Sequence, residues 1–248
     1  MIPIKGMCNV YYGVLRGSQI VKYKSPFPGI VNLSNIFEGD IFNSECTLFS
    51  VHNHEYISKR DIINKKKEME TRKLTGLKDS RKHLAAMFVK GFISKKDLQE
   101  IEQEINNVEL SIMSLDIESK NIESLLRLSS PSLSAPFIIR DIFVTDGQYV
   151  NSGDDIISIE LLSNFYIDIT IDPVDINGNL KNKRIRYHSL VDSFTGSATI
   201  FKTSRAYKPD EVSSGLRLVT LLIHGKWEEL SNNLDTAFEI FIDDKDKN

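Results

Sequence analysis

The residues of this chain that could do chemistry are few and widely separated. His52 and His54 flank one residue, a spacing that a metal site could use, but no third ligand lies nearby and a polar junction is favoured. Cys8 and Cys46 are too few and too far apart for a zinc site or a CxxC pair. Glycine-rich phosphate loops and the GxSxG nucleophile turn are absent from the sequence. We therefore expect no enzyme activity, no metal and no cofactor.

The composition is that of a folded protein that is not built to bind nucleic acid. The 248 residues are 41% hydrophobic and 26% charged, which is enough for one or two cores, and the net charge is −3. Sequence-independent nucleic-acid binding needs a basic excess, so we expect no nucleic-acid partner. No apolar run approaches the ~18 residues of a membrane span.

One short pattern occurs twice, in residues 25–51 and again in residues 133–160. Apolar residues recur in step in the two copies, as do turn residues. The turn residues are Pro26, Gly29 and Gly39 in the first copy, and Pro136, Gly147 and Gly153 in the second. A repeat split by an insertion predicts two half-motifs that pair in space as one small β-module.

The insertion, residues 52–132, has the pattern of a coiled-coil hairpin. Its second half has apolar residues at alternating steps of three and four, with one polar member: Leu98, Ile101, Ile105, Val108, Ile112, Leu115, Ser119, Ile122 and Leu126. Its first half has a weaker seam of Tyr56, Ile63, Leu74, Leu77, Leu84 and Phe88, interrupted by Lys67, Glu70 and Arg81. The short link at residues 90–94 predicts antiparallel helices, each about 50 Å long.

The two ends of this hairpin carry their own signals. At the tip, Gly91 suits a left-handed helix terminus, and Ser94 followed by Asp97 resembles a helix N-cap. Phe92 and Ile93 either dock a partner or close the end of the seam, and the pattern leaves both open. At the base, Ser129, Ser130 and Pro131 suit a hinge, because proline ends the helix there.

The remainder of the chain predicts a small antiparallel barrel. Phe165, Ile167, Ile169 and Ile171 alternate with polar residues, as in a half-buried strand. Later candidate strands are residues 184–188, 196–203, 216–223 and 237–242, separated by turn dipeptides such as Asn177-Gly178 and Ser214-Gly215. We expect residues 161–243 to form the barrel, residues 1–24 to add strands beside it, and residues 244–248 to be a disordered tail.

At this point the chain resembles the periplasmic adaptor proteins of tripartite efflux pumps and type I secretion systems, also called membrane fusion proteins or the HlyD family. The residues that carry the resemblance are Ser25 to Val31, Gly39-Asp40, Leu133 to Phe137, Gly147 to Gly153 and Lys90 to Lys95. The resemblance implies an elongated α+β fold: a split lipoyl-like (biotinyl-like) β-sandwich with an inserted α-helical hairpin, followed by a β-barrel.

The same resemblance implies which residues meet a partner. Tip docking would involve His83, Met87, Lys90, Gly91, Phe92, Ile93 and Ser94. In many adaptors an arginine occupies the position of His83, and histidine cannot form the guanidinium fork. Ser94 matches the family pattern, and Met87 is an apolar substitute. We therefore expect any contact with an outer-membrane channel to differ from the familiar one.

The functional expectation is a non-enzymatic adaptor in the periplasm. Its partners would be an inner-membrane transporter of ABC or RND type, a TolC-like outer-membrane channel, and further copies of itself in a ring, as a trimer or hexamer. We expect its membrane anchor to lie outside this sequence. The alternative is a coiled-coil scaffold that self-assembles without a role in export. A biotinyl or lipoyl carrier is excluded because the turn that would present the modified lysine holds the helical arm.

Overall fold

The computed structural model describes residues 9–33, 35–134, 136–173, 180, 183–205 and 215–244. Predictions for Cys8, Ala135, Asn177-Gly178, Ser214 and residues 245–248 lie outside the described residues. In chain order the elements are β1 (Asn9–Arg16), β2 (Gln19–Lys24), β3 (Gly29–Leu33), β4 (Ile41–Phe42), β5 (Cys46–Thr47), β6 (Phe49–His52), α1 (His54–Val89), α2 (Lys95–Leu128), β7 (Ser132–Leu133), β8 (Phe137–Ile142), β9 (Tyr149–Val150), β10 (Asp155–Leu161), β11 (Tyr166–Ile171), β12 (Lys183–Ser189), β13 (Thr195–Arg205), β14 (Arg217–His224), α3 (Trp227–Asn232) and β15 (Ala237–Asp244).

The six strands β1, β11, β14, β13, β12 and β15 close into an antiparallel barrel in that order, with β15 pairing back to β1. The predicted inward set of Phe165, Ile167, Ile169 and Ile171 is buried, which confirms that strand pattern. The sequence reasoning missed α3, whose Leu230 packs into the barrel core. The barrel is thus a body with its own core.

The two half-motifs form two facing sheets around one shared core. One sheet has the order β2-β10-β8-β4 and the other β6-β3-β9, so both contain strands from each half. The buried side chains come from both halves: Phe27, Val31, Leu48, Phe49 and Val51 from the first, and Phe137, Ile139, Val150, Ile156, Ile157 and Ile159 from the second. We call this two-sheet body the sandwich. Neither half could bury its apolar residues alone.

The glycines of the repeat lie where other residues are strained. Gly39, Gly147 and Gly153 have φ values between +76° and +90°, in the left-handed region that glycine tolerates. Gly29 lies on a strand that runs close to β6, where a Cβ would come within 2.6 Å of the carbonyl oxygen of His52. These residues shape the turns and strand approach of the sandwich.

The two prolines of the repeat precede equivalent strands, Pro26 before β3 and Pro136 before β8. The Ser152 hydroxyl donates to the Pro26 carbonyl at 3.2 Å. The backbone N–H of Leu162 donates to the Pro136 carbonyl at 2.8 Å. The Pro26 carbonyl is therefore hydrogen-bonded to the loop between β9 and β10, and the Pro136 carbonyl to the residue directly after β10.

Strand β2 belongs to the sandwich and not, as the sequence predicts, to the barrel. Residues 1–24 were expected to pack with the barrel, and β1 does, but β2 pairs along its length with β10 of the sandwich. Val21 and Tyr23 pack against the sandwich core, which accounts for the switch. The chain crosses between the two bodies at Gly17, where a Cβ would lie 2.4 Å from the carbonyl oxygen of Leu161.

The insertion is an antiparallel hairpin of two long helices, α1 with 36 residues and α2 with 34. Together with the barrel, this confirms the predicted combination of a helical hairpin and β-rich bodies. Within the described residues, neither of these helices nor α3 is both long and apolar enough to cross a membrane.

Candidate functional site: the helical arm, its tip and its base

The arm is held together by the predicted seam. Each of the nine seam positions of α2 is buried or half-buried, and most of the residues between them are exposed. In α1 the charged residues Lys67 and Glu70 are half-buried at seam positions, whereas Arg81 and Phe88 nearer the tip are exposed. The polar Ser119 is 95% buried, and its hydroxyl, with one hydrogen to donate, lies 3.0 Å from the acceptor Asn64 Oδ1 and 3.1 Å from the acceptor Glu123 Oε1. From the base of the arm up to Arg81, the polar seam residues are therefore compatible with one continuous contact.

Charged pairs bridge the two helices on both sides of the seam. They are Lys59–Glu118, Lys67–Asp116, Lys73–Glu104, Lys78–Glu109 and Arg81–Glu102. Hydrogen bonds from Lys120 and Lys67 lower the pKa of Asp116 to about 2. Exposed pairs contribute little individually, but they fix the register of the two helices.

At the tip, α1 ends in a Schellman motif. The N–H of Gly91 donates to the carbonyl of Phe88 at 2.9 Å, and the N–H of Phe92 donates to the carbonyl of Met87 at 3.0 Å. Gly91 itself has φ +79°, as a glycine can adopt without strain. The sequence therefore places glycine at the position where the chain reverses.

The second helix begins with a capping box. The Ser94 hydroxyl accepts from the N–H of Asp97 at 3.3 Å, and the Asp97 carboxylate accepts from the N–H of Ser94 at 2.8 Å. Hydrogen bonds from the Ser94 side chain and backbone lower the pKa of Asp97. Ser94 thus has a structural role in the turn.

The tip presents apolar side chains to solvent. Val89 is 85% exposed and Phe92 is 73% exposed, and Met87 and Phe88 are exposed beside them. Ile93 is half-buried, so the two apolar turn residues behave differently. The sequence reasoning singled out Phe92 but missed Val89. The run of three apolar residues at 87–89 was the available signal, because a seam uses only one of them.

The polar residues predicted for the tip also lie at the surface. His83 and Lys90 are exposed. The N–H of Lys90 donates to the carbonyl of Met87 at 3.1 Å, as part of the helix end. The structure therefore brings Met87, Lys90, Gly91, Phe92, Ile93 and Ser94 together at one turn, with His83 about two helical turns away along α1.

The base of the arm is anchored in the sandwich. The rings of Phe27 and Tyr56 stack with centroids 4.4 Å apart. The Asn53 side chain caps α1 and donates to the carbonyl of Pro28 at 2.6 Å. Leu125 and Leu126 of α2 pack against the sandwich core. Both helices therefore continue the packing of the module.

The predicted hinge residues lie at this base and are tied to the neighbouring strand. The carbonyl of Ser129 accepts from the N–H of Val51 at 2.8 Å, and that of Pro131 accepts from the N–H of Leu48 at 3.0 Å. Ser129 is buried, whereas Ser130 is exposed. Movement of the arm at Ser129, Ser130 and Pro131 requires these hydrogen bonds to break.

A charged cluster joins the sandwich to the barrel. The guanidinium of Arg140 on β8 pairs with Glu160 on β10 and with Asp235, which precedes β15 of the barrel. Glu160 is 97% buried, and it also accepts from the N–H of Gly17 at the crossing between the bodies. Residues so far apart in the chain gave no pattern that sequence reasoning could have recognised.

The described residues offer little for catalysis or metal binding. Among them, no three histidine, cysteine or acidic side chains are grouped to hold a metal ion. His52 Nε2 instead lies 3.0 Å from the Ser50 hydroxyl. Large apolar side chains are exposed at the tip of the arm, and also at Phe37 of the sandwich and Val191 of the barrel.

Comparison with known proteins identifies the fold. No family model and no curated protein matches the sequence. Among solved structures, similar folds are found in the membrane fusion protein Spr0693 from Streptococcus pneumoniae R6 (TM-score 0.69, 12% identity, 97% of this chain and 100% of that one), MacA from Actinobacillus actinomycetemcomitans (0.73, 16%, 96% and 78%) and the periplasmic adaptor protein EmrA (0.51, 12%, 95% and 99%).

The chain has the membrane fusion protein fold. The likeness covers the sandwich, the arm and the barrel, since at least 95% of the chain is matched in each comparison. The helical hairpin and the β-rich bodies with a six-stranded barrel, which the resemblance implied, are therefore found. At 12–16% identity the likeness is one of architecture, and function must be argued from the residues of this chain.

Proposed function

We propose that this protein is a non-enzymatic adaptor of the membrane fusion family. It would bridge an inner-membrane transporter to an outer-membrane channel in the periplasm. The observation that carries the proposal is a stiff arm with an apolar exposed tip, anchored in a split sandwich. Such an arm spans about 50 Å at 1.5 Å per residue, so it suits a protein that connects partners at a distance.

In this proposal the two-sheet module is a lipoyl-like sandwich whose carrier turn has been replaced by the arm. The helices leave from β6 and return at β7, between the two half-motifs. A biotin or lipoate carrier needs a modifiable lysine on the short turn between its halves. The adaptor role is therefore favoured over cofactor carriage.

The tip is the proposed docking point for the channel. Exposed Val89 and Phe92 supply an apolar contact, and Lys90 supplies a charge beside it. Contiguous exposed apolar side chains typically mark interaction sites. The capping box and Schellman motif hold the turn in one conformation, which lowers the entropy lost on binding.

The remaining partners are proposed from the likeness to adaptor proteins. The sandwich and barrel would pack around a transporter of ABC or RND type, in a ring of three or six copies held at the inner membrane. The cargo class is open to drugs, peptides, proteins or polysaccharide.

Tip docking is tested by replacing Phe92 and Val89 with aspartate and measuring export and co-purification. We expect recovery of the outer-membrane channel to fall at least about tenfold, equivalent to roughly 1.4 kcal/mol, while the transporter is still recovered. Phe37→Asp is the matched control, because Phe37 is a similarly exposed phenylalanine of the sandwich.

The outcomes separate the possible failures. Unchanged channel recovery in the double variant rejects docking through the tip. Absence of a transporter from every preparation, with only copies of this chain recovered, rejects the adaptor role in favour of the self-assembling scaffold.

A further inference from the structure

Two groups of large apolar side chains are exposed on the arm outside its seam. One group on α2 consists of Leu110, Met113 and Ile117, and the other on α1 consists of Ile62 and Met69. All five are 55–65% exposed. Within each group the spacing of three, four or seven residues places the side chains on one face of their helix. Lines of exposed apolar residues midway along a polar helix indicate surfaces that another molecule covers.

The two groups lie on opposite flanks of the arm. We define the first flank by the ion pairs Lys59–Glu118 and Lys73–Glu104, and the second flank by Lys67–Asp116 and Lys78–Glu109. Met69 lies four residues before Lys73 and Ile62 lies three residues after Lys59, so the α1 group borders the first flank. Met113 lies three residues before Asp116 and four after Glu109, so the α2 group borders the second.

The two groups overlap in height along the arm. The pairs Lys67–Asp116 and Asn64–Ser119 fix the register of the antiparallel helices, with residue numbers that sum to 183 in each pair. Met69 is therefore level with Met113 to within about one residue. By the same sum Ile62 is level with residue 121, four residues beyond Ile117, so all five side chains fall within about 17 Å at 1.5 Å per residue.

The charges of the two helices complement each other. Helix α1 has ten Lys and Arg against five Asp and Glu, a net charge of +5, and α2 has four against eight, a net charge of −4. A contact between α1 of one copy and α2 of the next therefore joins opposite charges, whereas contacts between identical helices join like charges. Lys66, between Ile62 and Met69, would face the neighbour's Asp116, which lies at the matching height.

Different patches on opposite flanks generate a heterologous contact. Such a contact repeats from copy to copy and closes into a ring when no translation accompanies the rotation. Zero translation along the arm requires the two patches to lie at similar height, and here their centres differ by about 6 Å at 1.5 Å per residue. In a two-fold dimer, by contrast, the same flank of both copies forms the contact. One patch would then pack against its own copy in the partner, and the patch on the other flank would stay exposed.

We propose that Leu110, Met113 and Ile117 of one copy pack against Ile62 and Met69 of the next, so that neighbouring arms associate side by side in one direction around a ring. This surface deepens the proposed function, since it rests on the assembly suggested there. Its occupant is a second copy of this chain.

Cysteine cross-linking tests the pairing and its direction. In a Cys8→Ser/Cys46→Ser background, Met69→Cys and Met113→Cys are prepared as separate proteins and oxidised alone and mixed. We expect covalent dimers only in the mixture, and a ladder of higher species when both changes are in one chain. Strong self-dimers of Met113→Cys alone, or no cross-link in the mixture, would overturn the proposal.

A second measurement asks whether the surface drives assembly. Leu110→Glu with Met113→Glu should weaken self-association in sedimentation at least about tenfold, without loss of helix content by circular dichroism. Leu128→Glu is the matched control, because Leu128 is an equally exposed leucine of α2 outside the α2 group. Equal association of both variants and the parent contradicts the inference.

These results are separable from the adaptor role. Specific Met69–Met113 cross-links without recovery of a transporter would keep the interface and reject the adaptor. Recovery of transporter and channel without those cross-links would keep the adaptor and reject this interface.

Discussion

The two ends of the arm use similar residues in opposite ways. At the base, Phe27 is buried and stacks on Tyr56, and the surrounding backbone groups are hydrogen-bonded to the sandwich. At the tip, Phe92 is exposed although the backbone around it is equally well hydrogen-bonded. The difference teaches that the apolar residues of the base hold the protein together, whereas those of the tip are available to a partner.

Replacing Phe27 at the base and Phe92 at the tip with alanine tests this difference between the two ends. We expect Phe27→Ala to lower the free energy of unfolding by about 4 kcal/mol, because it removes a wholly buried ring and its stacking contact with Tyr56. Phe92→Ala should change it by less than about 0.5 kcal/mol, because the ring is mostly in solvent. Urea unfolding of both variants gives the comparison. Similar losses would show that the tip is part of the core.

A second prediction concerns the charged cluster of Arg140, which joins the sandwich to the barrel. Arg140→Ala leaves buried Glu160 without its cationic partner, and we expect a loss of about 3 kcal/mol in unfolding free energy. Arg186→Ala, which removes an arginine from a largely exposed pair with Asp243, should cost less than about 1 kcal/mol. Equal effects of the two changes would mean that Arg140 does not stabilise the joint between sandwich and barrel.

The smallest effect is expected midway along the arm, from the pH dependence of Asp116. Its pKa of about 2 lies below the unfolded value near 3.9, so its stabilising effect is present above about pH 4 and is lost as the pH falls toward 2. Thermal unfolding of the parent and Asp116→Asn between pH 5 and pH 2 measures this. The parent should lose its advantage over the variant across that range, and a constant difference would contradict the assignment.

The local patterns of this chain were readable from its residues. The three-and-four spacing from Leu98 to Leu126 predicted the seam, and Gly91 and Ser94 predicted the ends of the two helices. These patterns are local because a helix turn or a cap involves residues within about five positions. The split repeat likewise predicted that distant segments share one core, because neither half could bury its apolar face alone.

The contacts between bodies were not readable in the same way. Nothing local distinguishes β2 from a barrel strand, and its placement in the sandwich depends on pairing with β10, more than a hundred residues later. The cluster of Arg140, Glu160 and Asp235 has the same character. For the tip, the sequence located the turn, but the exposure of Val89 depended on which side of α1 faces α2.

The sequence by itself determined the helical hairpin, its caps and the alternating barrel strands, because periodicity and turn chemistry are properties of neighbouring residues. It also determined the pairing of the two half-motifs, because the same pattern recurs on both sides of the insertion. Only the tertiary structure decided which sheet takes β2, which charges join the sandwich to the barrel, and which apolar residues of the arm stay in solvent. Those outcomes depend on how separate elements meet in space, and the residues that meet there are distant in the chain.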